Sequence, residues 1–294
     1  MKKSGSIFNI LDKPFPYEYD LKSNLKYSVW FGLFIAIFLV IFRPFGIGEE
    51  GTSLKLYVQL SGFGLITSLS LFVNIFLLNF IFLKFRDETN WKLKHEMLMV
   101  IYVLFFISVM NTFYKAFIYH KNLHAGDFAE FIYYTFAIGF LPVLLGLLFA
   151  YNKNLKKNLT EANKLNLNLP SPEVAQNDEL VNITDETGKE KISLKLDDLY
   201  FIKAAGNYTE IFIKEQDSLK PLLLRASLKK AEETFSSFAS VFKCHRTYIV
   251  NLDKVKEILG NSQGYLLLFE YEGYSVPVSR SYSKELSEKL KQKK

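Results

Sequence analysis

The 294-residue chain has a single cysteine, Cys244, and only 22% charged residues. One thiol cannot close an intramolecular disulfide, so a disulfide scaffold and a cysteine zinc cluster are both excluded. Little charge beside 49% hydrophobic and 16% aromatic residues excludes a disordered chain and fits poorly with an ordinary soluble enzyme. Catalytic patterns are missing too: there is no phosphate loop, kinase nucleotide box or Ser-His-Asp spacing. His95-Glu96 is followed by Met99 where a zinc-protease helix would place its second histidine. His120 and His124, near Asp127, are two ligands at most and read as ordinary loop histidines. No catalytic residue, metal or cofactor is expected, and the chain does not read as an enzyme.

What is abundant is apolar length. Residues 27–42 run without a charge, and 56–83, 97–114 and 131–152 form three more such stretches. Each approaches or exceeds the ~20 residues that cross a bilayer as a helix. The reading is a four-span α-helical transmembrane bundle over residues 27–152, preceded by a polar leader, residues 1–26. The first span does not read as a signal peptide, because no small-residue cleavage site follows it.

The formal charge of +6 sits entirely in the first part: residues 1–169 carry 17 Lys/Arg against 11 Asp/Glu, and 170–294 carry 19 against 19. Lys2, Lys3, Lys13, Lys22, Lys26, Lys84, Arg86, Lys92, Lys94, Lys153, Lys156 and Lys157 flank one side of the spans. Only Arg43, Lys55, Lys115 and Lys121 flank the other. The positive-inside rule then puts both termini in the cytoplasm of an inner-membrane protein. Polar residues within the spans are Gln59, Asn74, Asn79, Asn111 and Thr112, with Gly64 and Ser68 as a small pair four apart. Their expected uses are bonding between helices and close packing, with a ligand pocket as the alternative.

Residues 153–178 read as a helical, proline-containing linker. Leu155, Leu159, Ala162, Asn166 and Leu169 are spaced as a short heptad seam with one asparagine, which would pair two chains only if the membrane part already did so; the plainer reading is a solvated helix extending from the membrane. From residue 179 the hydrophobic period becomes two, with strands expected at 180–183, 191–196, 199–203, 209–214, 222–225, 248–250, 255–259, 265–270 and 274–278. Ser227 reads as the N-cap of one helix burying Leu228, Ala231 and Phe235, and 281–294 as a closing polar helix. This is a small, mainly β (α+β) module.

Four blocks of that module, residues 199–208, 224–228, 242–251 and 276–282, together resemble the LytTR DNA-binding domain over about residues 180–290. The resemblance implies a compact β fold whose loops, rather than a recognition helix, enter successive major grooves of direct-repeat sites, typically as a dimer. It also implies that the DNA-contacting positions are Asn207, Tyr208, His245, Arg246, Ser279 and Arg280. The residue chemistry agrees: Arg can donate twice to guanine O6 and N7, and Asn can pair with adenine. Asn251 reads as fold-stabilising.

The expected partners are therefore double-stranded DNA, the lipid bilayer, a second copy of the chain, and a membrane partner protein or signal ligand. Two functions stay open at this point. One is a membrane-anchored transcription regulator that binds DNA sequence-specifically. The other is an anchored adaptor whose β module binds protein.

Overall fold

The computed structural model describes residues 11–16, 21–44, 53–82, 91–120, 122–169 and 179–292. Most of the leader, the connections 45–52 and 83–90, the linker segment 170–178 and the last two lysines lie outside the described residues. The chain divides into two compact units, Met1–Ala150 and Tyr151–Lys294.

The first unit is built from helices α1 (Leu21–Phe42), α2 (Leu54–Phe82) and α3 (Leu93–Tyr119), and from the first part of α4 (Ala125–Asn166). All four helices are long and apolar enough to cross a membrane. Within residues 27–42, 56–77, 97–114 and 131–152 they are apolar all round, and Trp30, Phe117, Phe140 and Phe149 are more than half exposed. Helices of that kind are stable where the surroundings are also apolar. α1 and α2 approach closely at the small residues. A Cβ added to Gly64 would lie 2.4 Å from the Gly32 carbonyl oxygen, and one added to Gly32 would lie 2.6 Å from the Ser68 Cβ.

The buried hydroxyls Thr67, Ser108 and Thr112 do not bridge helices. Each donates one turn back, to the carbonyls of Phe63, Leu104 and Ser108. An interhelical bond does run from the Tyr114 hydroxyl to the Gln59 carbonyl, at 3.2 Å. At the other end of α3 the chain before α1 pairs with the chain before α3. The Phe15 N–H donates to the Trp91 carbonyl, the Leu93 N–H donates to the Lys13 carbonyl, and Asp12 contacts Lys92 and Lys94.

The second unit contains β1 (Leu180–Thr184), β2 (Lys191–Lys195), β3 (Leu199–Ala205), β4 (Tyr208–Glu215), β5 (Ser218–Leu224), α5 (Leu228–Thr234), β6 (Val241–His245), β7 (Tyr248–Asn251), β8 (Glu257–Gly260), β9 (Tyr265–Leu268), β10 (Ser275–Val278) and α6 (Arg280–Gln292). A five-stranded antiparallel sheet, ordered β5-β4-β3-β7-β6, forms the middle layer. Neighbouring residues on its strands point to opposite faces. Ile202, Ile211, Val241 and Ile249 enter a core with the β1-β2 hairpin and α5. Phe201, Phe212, Phe242 and Val250 face the other core, with the three-stranded sheet β10-β9-β8 and α6.

Ser227 caps α5 by accepting from the Lys230 N–H, as its position predicts. Asn251 holds the sheet, donating to the carbonyls of Leu196 and Leu199 and accepting from the Asp253 N–H. Strand β6 was not expected from the sequence. Lys243, Cys244 and His245 break the apolar alternation there, yet Cys244 and His245 are both buried.

The end of α4 belongs to this second core. Ala162 and Leu165 are buried with Ile258, Tyr265 and Leu267. The Asn166 side chain donates to the Ile258 carbonyl at 2.9 Å and accepts from the Ile258 N–H at 2.7 Å. β8 is a sheet edge with unpaired backbone groups, and an amide side chain carries the matching donor and acceptor. Ala162 and Asn166, which would face a second chain in a paired seam and solvent in a lone helix, thus face β8. Asn158 donates to the Asn261 carbonyl at 2.6 Å, and the Tyr265 hydroxyl donates to Glu161 at 2.5 Å. Gly260 permits this approach, since a Cβ there would lie 2.3 Å from the Asn158 carbonyl oxygen.

Candidate nucleic-acid interface

Backbone register brings the predicted residues to one end of the five-stranded sheet. β3 and β4 are joined by the two-residue turn Gly206-Asn207, with Ala205 opposite Tyr208. Gly206 has φ +62° at the first central position, where a type II′ hairpin requires the freedom of glycine. Asn207 and Tyr208 are exposed on this turn.

The second turn, Arg246-Thr247, joins β6 to β7, with His245 opposite Tyr248. The Ala204 N–H donates to the Thr247 carbonyl at 2.9 Å, which fixes this turn beside the first. Strand spacing of ~4.8 Å sets the two turns about 10 Å apart along the sheet end. Arg246 is exposed. His245 differs from its neighbour, being only 3% exposed. Its Nδ1 accepts from the Thr247 N–H at 3.2 Å and lies 2.7 Å from the Thr247 hydroxyl, which leaves the ring proton on Nε2. The buried imidazole holds the shape of the turn that displays Arg246.

The third element is the junction of β10 with α6. The Ser279 N–H donates to the Cys244 carbonyl at 2.9 Å, so the junction docks against β6 next to the second turn. The Ser279 carbonyl accepts from the Tyr282 N–H, and its hydroxyl lies 2.8 Å from that of Ser281. Arg280 opens α6, is exposed, and donates from Nε to the Gln263 carbonyl at 3.3 Å. Cys244 lies beneath this region, fully buried, and burial pushes its thiol well above the usual range. Its role here is to pack and not to react.

Sequence reasoning missed Arg225. Leu224 pairs with Thr209 at the end of β5, so Arg225 emerges at the same sheet end, exposed. Its carbonyl accepts from the Glu186 N–H, and the Glu186 carboxylate accepts from the Ser227 N–H at 2.7 Å. That bond from the Ser227 backbone holds the Glu186 carboxyl below the usual range. The available signal was its place immediately after an alternating strand that ends beside the first turn. The sheet end therefore displays Arg225, Asn207, Tyr208, Arg246 and Arg280 on short loops anchored by backbone bonds.

Residues 189–291 match the family described as the LytTr DNA-binding domain. This segment is a LytTr DNA-binding domain. An uncharacterized response regulatory protein of Vibrio cholerae is 41% identical over 64 residues, covering 22% of this chain and 25% of that protein. The transcriptional regulatory protein YpdB of Escherichia coli K12 is 26% identical over 119 residues, 40% of this chain and 45% of its own. A solved LytTr DNA-binding domain from Bacillus cereus is 24% identical, covers 38% of this chain and 95% of its own, and superposes with a TM-score of 0.29. The chain spans less than half the length of these curated relatives.

Proposed function

We propose that the protein is a membrane-anchored transcription regulator whose LytTr domain reads DNA through the loops at one end of its five-stranded sheet. The observation that carries this reading is the convergence of three separately anchored loops with exposed Arg225, Arg246 and Arg280 in a domain of a DNA-binding family. Two turns about 10 Å apart suit a major groove ~12 Å wide. In this assignment Arg246 and Asn207 contact base edges. Arg225, Tyr208, Ser279 and Arg280 contact base or phosphate, and His245 serves the interface by fixing the Arg246 turn. The N-terminus of α6 adds a partial positive charge suited to phosphate.

A charge-balanced C-terminal half attracts DNA weakly without sequence contacts. Two copies on direct repeats therefore supply the affinity. The four apolar helices anchor the chain with both termini cytoplasmic. Pairing of residues 13–15 with 91–93 gathers Lys13, Lys92 and Lys94 at one end, in keeping with a cytoplasmic face.

The deciding experiment measures binding of the full chain in detergent to genomic fragments across a salt series. Arg246→Ala is expected to lose ~1–3 kcal/mol on the selected sequence and little on random DNA. No binding, or binding indifferent to sequence, would favour the adaptor reading in which the β module binds protein. Topology is tested by reporters: one after Lys157 is expected in the cytoplasm and one at Asn122 outside. The buried Cys244 leaves a silent background for single-cysteine labelling at the same places.

A further inference from the structure

The helical unit holds a pocket of about 570 Å³, bounded chiefly by α1, α2 and α3. Its wall carries four rings from α1, those of Tyr27, Trp30, Phe31 and Phe34, and among the described residues one charged side chain, Glu96 in the first turn of α3. One Glu96 oxygen accepts from Trp91 Nε1 at 2.9 Å. Among the described residues no cation pairs with this carboxylate. The lysines nearest in sequence, Lys92 and Lys94, contact Asp12 at 3.1 and 2.8 Å. Unlike Asn74 and Asn111, whose unpaired oxygens are sealed from any surface, Glu96 is only half-buried.

A carboxylate largely withdrawn from water calls for a partner of opposite charge. The first turn of a helix steadies negative charge without supplying that partner. An anion is repelled here, and a neutral apolar molecule leaves the acid uncompensated. A hard metal ion takes six or more oxygen ligands, and the described residues hold no group of three metal-binding side chains. Aromatic faces attract organic cations, and the volume falls in the range of pockets that enclose molecules with a sizeable apolar body. We propose that this pocket binds an amphiphilic amine, with its ammonium against Glu96 and its apolar body among the α1 rings. The amine is either a free compound or the headgroup of a lipid. The site lies within the helical unit and stands or falls apart from the DNA reading.

The test uses the full chain in uncharged maltoside micelles and follows 4-fluorophenethylamine by fluorine NMR, with empty micelles as the partition control. 2-(4-Fluorophenyl)ethanol is the neutral counterpart and 4-fluorophenylacetate the anionic one. Saturable binding of the amine is expected, roughly tenfold tighter than the alcohol, with the acetate weakest. Glu96→Gln should bring the amine down to the level of the alcohol and leave the alcohol unchanged. Trp30 is exposed, so Trp30→Leu spares the packing and should weaken the amine more than the alcohol. Displacement of the amine by added phosphatidylethanolamine but not by phosphatidylglycerol would uphold the proposal with a lipid as the source, and no displacement by either would uphold it with a free amine. Non-saturable uptake, an amine-to-alcohol ratio near one in the unmodified chain, or a preference that survives Glu96→Gln would each overturn it. The ratio in the unmodified chain decides the matter even if a variant does not fold.

Discussion

In the helical unit the buried hydroxyls of Thr67, Ser108 and Thr112 bond to their own helix one turn away, whereas in the C-terminal unit side-chain amides reach across the chain. Ser108 and Thr112 find partners four residues back. Asn251 finds one 55 positions away and Asn166 one 92 positions away. The contrast follows from what backbone each architecture leaves unpaired. A continuous helix satisfies its own backbone internally, so a hydroxyl within it needs nothing from a neighbour. A small stack of sheets exposes strand edges and turns, and side-chain amides must close them. The buried hydroxyls of the first unit serve their own helices, whereas the amides of the second tie distant segments together.

The sharpest way to break this comparison is Asn251→Leu. It strands the carbonyls of Leu196 and Leu199, and the C-terminal unit is expected to lose ~2–4 kcal/mol. Hydrogen exchange across β3 and β7 in the full chain should accelerate while α1 to α3 stay protected. Equal protection in both proteins would show that the long-range amide is ornamental.

A more local effect is expected on acidification. The Asp185 carboxylate accepts from the Thr187 hydroxyl and the Glu190 N–H, and the Thr187 bond foremost holds its carboxyl below the ordinary 3.8. A depressed folded pKa means that the stabilisation is complete above the ordinary value and disappears as pH falls through the depressed one. Melting of the C-terminal unit should therefore drop more steeply below about pH 4 in the native chain than in Asp185→Asn. Parallel melting curves would contradict it.

The smallest effect is assigned to Thr112→Val, expected to change helical-unit stability by less than ~0.5 kcal/mol because the lost bond served its own helix. A large loss in detergent unfolding would erase the distinction between the units.

How far the sequence could be read also differs between the two units. Apolar length announced the four helices, because a helix that is apolar all round needs no knowledge of its neighbours. Alternation announced most strands. It missed β6, where burial of Cys244 and His245 depends on β10, α6 and the turn they support, none of which is local. β5 was expected only from Leu222, since Pro221 interrupts the pattern. The strand tolerates Pro221 because it lies at the sheet edge. Asn166 was legible as a special polar residue in an apolar seam, but a heptad pattern cannot say whether its partner is another helix or the edge of β8. Among the candidate DNA residues, the family resemblance pointed to the loops and could not separate exposed Arg246 from buried His245. Arg225 escaped because its place at the sheet end follows from strand order.

The docking of α4 has a mechanical consequence. Asn158 and Asn166 grip β8 and the turn after it at points eight residues apart, ~12 Å along the helix axis. Two grips remove both sliding and spinning as independent freedoms. Asn261, gripped by Asn158, also accepts from the N–H groups of Gln263 and Gly264 through its side chain, and the Gln263 carbonyl holds Arg280. The end of α4 is therefore fixed to the domain through this noncovalent clamp. Loosening the clamp would free helix from loop with every covalent bond in place.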